Sequence, residues 1–562
     1  MQGAKSANSK LFKDFCNEAE MGKNSQIGGF YFVIVPNLVP CKQNLFMYKF
    51  LTGLLFFFFI IPYQLRAQIL PKEGSELNYR IIGFLFSKGQ PGSKYKIEIA
   101  AGNYNNEDSF TQNLIKSFDG DKNKIIGEVP AFGKQYTWRS VTSDRATITK
   151  SELHHFRTMI NRVVDTNVTR LRIIRNTEKY KDAYVFMDGN KALYDMNGSP
   201  VWFLPDIAGT KPGSFEKTGD LKISKQGTIT FLANRTGGQV YEINYNGAIL
   251  WKGPDNGKVS GDSIAHYHHE FTRLSNGHYM VLGSEYVLWK LPSNVDSSFL
   301  KKQGNQKKII WDSTNKAFYE KMHFGTIIEY DSKGKLVWSW KSSKYFKGSD
   351  IFSRTAPHGA FYISDVHENG FFFDKKSKTI YVSFKDISRI LKVKYPEGNV
   401  TNIYGKKYDP VHSKIYGSDL FAQQHNCMIS KAGYLCLFYN NDRHEKSLPT
   451  IIMMQEPHSK KDTLKKIWEY ECTVDGIDTN NQKQFSFSNG GNVIELPDNS
   501  MFGCMSSPGY SKVFIVNRDK ETLWSALPEA WNSNENKWNC IFQYRASIIN
   551  RKELELLIWN QQ

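Results

Sequence analysis

Three histidines open strings that resemble one another: HEFTRLSNGHYMVLG from His269, HENGFFFDKKSKTIYVSF from His367 and HNCMISKAGYLCLFY from His425. His269 and His425 each precede a glycine by eight residues (Gly277 and Gly433), which places them at one position of a repeat. His367 aligns less closely, because its turn reads DKKSK. Only 13 histidines occur in the 562 residues, so three at a shared position point to a site rather than to chance. Near neutral pH an imidazole serves as acid, base, nucleophile or metal ligand, and when protonated it anchors anions. Asp365 and Glu368 keep a metal reading open, and a polar channel plug held by water is the alternative without chemistry. His154 and His155, in ELHHFRTMINRVV, read as surface or packing residues.

What must position these rings is a β repeat. An Asp or Asn followed seven residues later by Trp recurs four times, as DMNGSPVW from Asp195, NYNGAILW from Asn244, DSKGKLVW from Asp331 and NRDKETLW from Asn517. A polar turn between alternating apolar residues is a hairpin, so each copy supplies the last two strands of a four-stranded unit. The strings that open at Gly219, His269, His367, His425 and Gly491 supply the first two strands, with a lysine-rich insertion at about 290–322. Five full units and a partial one near residue 190 predict an all-β six-bladed β-propeller over 181–562. The C-terminal FQYRASIIN is the candidate for the strand missing from the first blade, closing the ring and removing open edges. The first strand of each blade lines the channel, which brings the histidines to a common axis.

Residues 68–150 read as a small N-terminal β-sandwich, and 151–180 as a linker whose best helix candidate is ELHHFRTMINRVV. MYKFLTGLLFFFFIIPYQLRAQ from Met47 reads as a signal peptide over 47–67, with 1–46 an upstream extension absent from the mature protein and a signal anchor as the alternative. The charge of +18 falls by 4 to +14 when the seven Lys/Arg and three Asp/Glu of residues 1–67 are removed. The lysines scatter through Gly/Asn-rich turns, so nucleic acid is not an expected partner; the field favours small anions. Seven cysteines show no zinc spacing, and the five beyond residue 67 allow one or two disulfides with at least one free thiol.

Taken together and in order, HHEFTRLSNGHYMVLG, SDVHENGFFFDKKSKTIYVSFKDISRILKV, QQHNCMISKAGYLCLFYNND and FSFSNGGNVIELPDNSMFG resemble the bacterial arylsulfate sulfotransferases across roughly residues 70–550. That resemblance implies a propeller behind a β-sandwich. It also implies nucleotide-independent transfer of a sulfuryl group from a phenolic sulfate ester to a phenol, through a sulfated histidine. His425 of QHN matches the nucleophile, His269 a second active-site histidine, and His367 and Asn369 the pair on the sulfuryl oxygens. Lys385 stands where the family usually has Arg, replacing a planar fork by a point charge; Arg389 would compensate only if the strand before it ended elsewhere. His268 is the alternative to His269, Ser488 and Asn489 are candidate substrate contacts, and His358 is a weaker candidate. The expected partners are an aryl sulfate donor and a phenolic acceptor, with no cofactor, no metal, no lasting membrane insertion and a homodimer left open. The expected location is periplasmic or secreted. A non-catalytic propeller binding a sulfated ligand or protein partner is the rival, and a calcium- and quinone-dependent dehydrogenase a more distant one.

Overall fold

The computed structural model describes residues 68–145, 147–207, 217–233, 236–254, 258–259, 262–291, 309–346, 366–405, 420–440, 448–459, 461–477, 489–507 and 510–560. The expected leader, the upstream extension, Asp365, His358 and Ser488 lie outside them. The described chain is nearly all β, with two short α-helices at Glu107–Gln112 and Arg551–Trp559.

In the N-terminal part the strands Ser75–Leu77, His154–Thr158, Gln135–Asp144, Lys94–Ala101 and Leu114–Gly120 form one sheet in that order. Ile81–Leu85 pairs with Lys124–Glu128 in a second. Phe84 packs edge-on to Trp138 at 5.0 Å and near Phe156 at 6.3 Å, joining the two layers. The helix expected over ELHHFRTMINRVV is absent. His154, Phe156 and Thr158 are buried on alternate positions, and this period-two pattern pairs His154–Thr158 with Gln135–Asp144. His154 packs on Trp138, and His155 Nδ1 lies 2.8 Å from Glu73 Oε1. The rest of the expected linker also enters a sheet, because Thr169–Asn176 pairs with Thr522–Asn532.

Beyond it the described residues form six antiparallel meanders, each built on four strands. The first holds Ala183–Met187, Ala192–Asp195 and Pro200–Phe203, and its remaining strand, Ala546–Asn550, comes from the C-terminus and pairs with Ala183–Met187. The second runs Gly219–Ile223, Ile229–Ala233, Thr236–Ile243 and Ile249–Lys252; the third Asp262–Arg273, Tyr279–Lys290, Ala317–Tyr330 and Leu336–Lys341. These two are joined edge to edge by pairing of Thr236–Ile243 with Asp262–Arg273. The fourth is Glu368–Asp374, Thr379–Phe384, Arg389–Lys394 and Val400–Gly405. The fifth is Gln424–Ile429, Leu435–Tyr439, Thr450–Gln455 and Lys465–Glu471. The sixth is Asn492–Glu495, Met501–Ser507, Tyr510–Val516 and Thr522–Asn532.

At four of the third-to-fourth-strand turns, opened by Asp195, Asn244, Asp331 and Asn517, the Asx side chain holds the turn. Asp195 Oδ1 accepts from the Asn197 and Ser199 amides, and Asp331 Oδ1 from those of Lys333 and Lys335. The outer tryptophans then stitch neighbours together. Trp202 Nε1 donates to Tyr245 O at 2.8 Å, Trp338 Nε1 to Pro396 O at 2.7 Å and Trp468 Nε1 to Arg518 O at 2.8 Å. Trp524 Nε1 donates back to Met196 O in the first meander at 2.9 Å. First strands also touch in succession, Ala546–Asn550 against Gly219–Ile223 and onward to Asn492–Glu495, and Ala546–Asn550 meets Met501–Ser507. The contacts therefore return to their start. All five described cysteines are unbridged thiols, so neither of the disulfides the count allowed is formed.

Candidate functional site

The residue that opens the first hairpin provides a ruler for the first strands of the third, fourth and fifth meanders. Leu274, Asp374 and Ser430 bond or pair across those hairpins with His278, Thr379 and Tyr434. Counting back five residues reaches His269, Asn369 and His425, so Asn369, not His367, shares the repeat position of the other two histidines. The turn after Asp374 is one residue longer than its counterparts, which hides the shift in the sequence. His367 stands two residues earlier, level with Gln423.

The rings nonetheless gather. His269 and His367 lie 5.4 Å apart between centroids, and His367 and His425 6.4 Å apart. Tyr544, from the segment leading into the C-terminal strand, faces His269 at 5.7 Å and His425 at 6.5 Å. Bulges make this convergence local: His269 and His367 take left-handed backbone with φ of 59° and 53°, and the ladder slips beside each. A non-glycine residue there costs about 1–3 kcal/mol and persists where its surroundings over-determine it.

His425 is buried, and its Nδ1 is hydrogen-bonded to Asn440 Oδ1, whose amide nitrogen donates to Gly490 O at 3.1 Å. An amide oxygen only accepts, so Nδ1 carries the proton and Nε2 keeps its lone pair. Burial, then the charges of Lys385 and His367, holds His425 well below the usual imidazole range. His269 is depressed in the same direction by burial and by His268, His367 and His425.

His268 is turned away from the cluster. Its Nε2 lies 3.0 Å from Gly283 O and its Nδ1 2.7 Å from His269 Nδ1. The carbonyl accepts only, so in the neutral pair His268 Nε2 donates to it, and His268 Nδ1 accepts from His269 Nδ1. His269 Nε2 is left as a bare base. His323, from the long third strand of the same meander, lies 6.2 Å from His268 and stacks on Tyr286 at 5.0 Å.

Asn369 is fully buried with both ends of its amide engaged: Nδ2 donates to Gln424 O at 2.8 Å, and Oδ1 accepts from Ser383 Oγ at 2.7 Å. Lys385 is nearly buried, its amide donates to His367 O at 2.9 Å, and Asp386 stands between its ammonium at 4.0 Å and His367 Nδ1 at 3.5 Å. The strand before it ends at Phe384 and Arg389 begins the next, so the condition for Arg389 to replace Lys385 is not met. Asn489 is exposed, with its carbonyl accepting from Ser506 Oγ at 2.6 Å. The Glu368 carboxylate lies against the Gly325 backbone, where a Cβ would collide with it.

Beneath the rings lies an ion cluster. Buried Arg545 donates to Asp220 Oδ1 at 3.2 Å, to Glu270 Oε2, to Asn369 O at 2.8 Å and to His425 O at 3.3 Å. Lys222 Nζ adds contacts to Asp220 at 2.8 Å and Glu270 at 2.6 Å. One guanidinium thus ties the backbone at His425 to the residue following His269. Asn440, Tyr544, Asp386 and Arg545 were not singled out from the sequence. Tyr544 and Arg545 sit in the closing string FQYRASIIN, Asn440 in QQHNCMISKAGYLCLFYNND and Asp386 in VSFKDISRILKV, but no spacing within those strings marks what they do.

Residues 305–529 match the family described as arylsulfotransferase (ASST). Comparison with curated proteins returns no match. Among solved structures the chain is similar to a protein of unknown function from Bacteroides caccae, at 13% identity over 65% of this chain and 98% of that one, TM-score 0.36. It is also similar to a quinoprotein alcohol dehydrogenase-like protein from Bacteroides thetaiotaomicron, at 10% identity over 86% of this chain and 99% of that one, TM-score 0.32.

Proposed function

We propose that this chain, whose residues 305–529 match the arylsulfotransferase family, transfers sulfuryl groups between phenols through His425. The six meanders are read as blades of a closed six-bladed propeller behind an N-terminal β-sandwich, exported to the periplasm or beyond once the 47–67 leader is removed. Support for the fold comes from the tryptophan bonds that run from blade to blade and return from Trp524 to Met196.

The observation that carries the reaction is the neutral, tautomerically fixed His425, with a base ring in reach of the same space. In the first half-reaction the Nε2 lone pair of His425 attacks sulfur. The N–S bond forms, the S–O bond to the aryl group breaks, and the departing phenolate takes the electron pair. Lys385 supplies the positive charge that steadies the sulfuryl oxygens, and His367 lines the same space, as in phosphoryl transfer where positioning and charge neutralisation dominate. In the second, an acceptor phenol gives its proton to His269 Nε2, and its oxygen takes the sulfuryl group as the N–S bond breaks. His268 positions His269, and Asn369 braces the backbone next to His425. A bound aryl ring packs beside Tyr544.

Incubation with 4-nitrophenyl sulfate and phenol tests the reading. Acceptor-dependent nitrophenol release that disappears in His425→Ala is expected, as is added sulfate on the peptide holding His425. Undiminished release in that variant overturns the role of His425, and ligand binding without turnover in the wild type favours the non-catalytic alternative.

A further inference from the structure

A cavity of about 530 Å³ adjoins the ion cluster, with Asp220, Lys222, Glu270 and Arg545 as its floor and no histidine in its lining. Its walls include Phe372, Phe373, Met428 and Ile494, apolar side chains left only half-buried because they face this space. Its open end is ringed by hairpin residues, among them exposed Lys225, Lys375 and Lys378.

Charge is distributed unevenly along this space. On the floor, Lys222 and Arg545 are matched by Asp220 and Glu270 at ion-pair distance, and Arg273 on the wall is paired with Glu242. At the rim, among the described residues, Lys375 Nζ is bonded only to Ser275 Oγ at 2.6 Å, and neither Lys225 nor Lys378 has an acidic partner. The excess charge is therefore positive and sits at the mouth of an apolar tube. Water gains little on such walls, whereas an aromatic ring removes them from solvent while its anionic group stays at the lysines.

We infer that this cavity is a second ligand site, separate from the histidine cluster, that takes a small aromatic anion with its ring against Phe372, Phe373 and Met428 and its charge at Lys375 and Lys378. It does not depend on the transfer reaction, since no histidine of the cluster is among the residues that line the cavity.

The test uses the mature chain and 2-naphthalenesulfonate, whose sulfur is bonded to carbon and is not a transferable ester. Calorimetric titration of His425→Ala is expected to show saturable binding. In Lys375→Glu/Lys378→Glu the affinity of that binding falls at least tenfold, while 4-nitrophenyl sulfate turnover stays within twofold of wild type. Met428→Trp, which fills the tube without altering charge, gives the same pattern. The inference is overturned if no saturable binding occurs, if the double charge reversal leaves binding unchanged, or if binding vanishes only in His269→Ala/His425→Ala. Loss of turnover in His425→Ala with binding retained would leave both assignments standing, each on its own readout.

Discussion

Replacing Arg545 by methionine probes the centre of the molecule, because the residue serves the fold and the site at once. The guanidinium is buried and donates to two carboxylates and to the carbonyls of Asn369 and His425. Without it, Lys222 alone faces Asp220 and Glu270. Removing one partner of a buried ion pair costs about 3–5 kcal/mol, and each carbonyl left without a donor adds about 1–3 kcal/mol, though such terms do not sum. Burial and Glu270 already push the Asp220 carboxyl above its usual range, so it takes up a proton in the variant and limits the loss. A destabilisation of at least about 3 kcal/mol is expected at pH 7.5; with the steep urea dependence of a chain this long, that is a midpoint shift of somewhat under roughly 1 M for each 3 kcal/mol. The loss shrinks at pH 5.5, where Asp220 protonates more readily. Arg545 also helps to depress His269 and His425, so the acidic limb of the turnover profile moves upward in pH. Tryptophan fluorescence during urea unfolding and a pH–rate profile read the two effects. A variant within about 1 kcal/mol of wild type, or an unmoved acidic limb, refutes the hub.

Asn440→Ala releases the His425 tautomer and is expected to lower kcat roughly tenfold with KM within twofold, the weight of one hydrogen bond of about 1 kcal/mol amplified by misorientation; steady-state kinetics with 4-nitrophenyl sulfate decides it. The half-buried His269 and the buried His425 stay neutral when folded, whereas unfolded they protonate near the ordinary imidazole value of 6.5. Stability conferred by keeping them neutral is therefore full above that pH and lost as pH falls through the folded values, by up to about 2.7 kcal/mol per unit for two protons. Urea titrations at pH 7.5 and 5.5 are expected to show this slope, flattened in His269→Ala/His425→Ala. Truncation after Ile541 removes the strand paired to Ala183–Met187 together with Arg545, and is expected to abolish soluble expression; a folded monomer by circular dichroism and gel filtration would count against closure by both termini. Lys385→Arg offers a forked donor in place of a point charge and is expected to raise kcat with little change in KM, an outcome checked in the same kinetic assay.

Local pattern carried most of the strands. Alternating apolar residues, Asx turns and the tryptophans seven residues on are contacts within one or two hairpins, so their signature survives in a linear reading, including Ala546–Asn550 as the missing strand of the first meander. Where the periodicity was read with the wrong period, as in ELHHFRTMINRVV, the sheet edge offered by Gln135–Asp144 outweighed it. Histidine convergence was legible because a repeat position maps onto a place in space. Which residue holds that position was not: the longer turn after Asp374 shifts the count, leaving Asn369 level with His269 and His425 and His367 two residues short. Asn440 behind His425, the Gly283 carbonyl behind His268 and the Arg545 ion cluster join segments between 15 and 325 residues apart, and no linear spacing encodes them. Residue chemistry and short-range alternation are properties of the chain, while tautomer and basicity arise only when distant strands exclude water around shared polar groups.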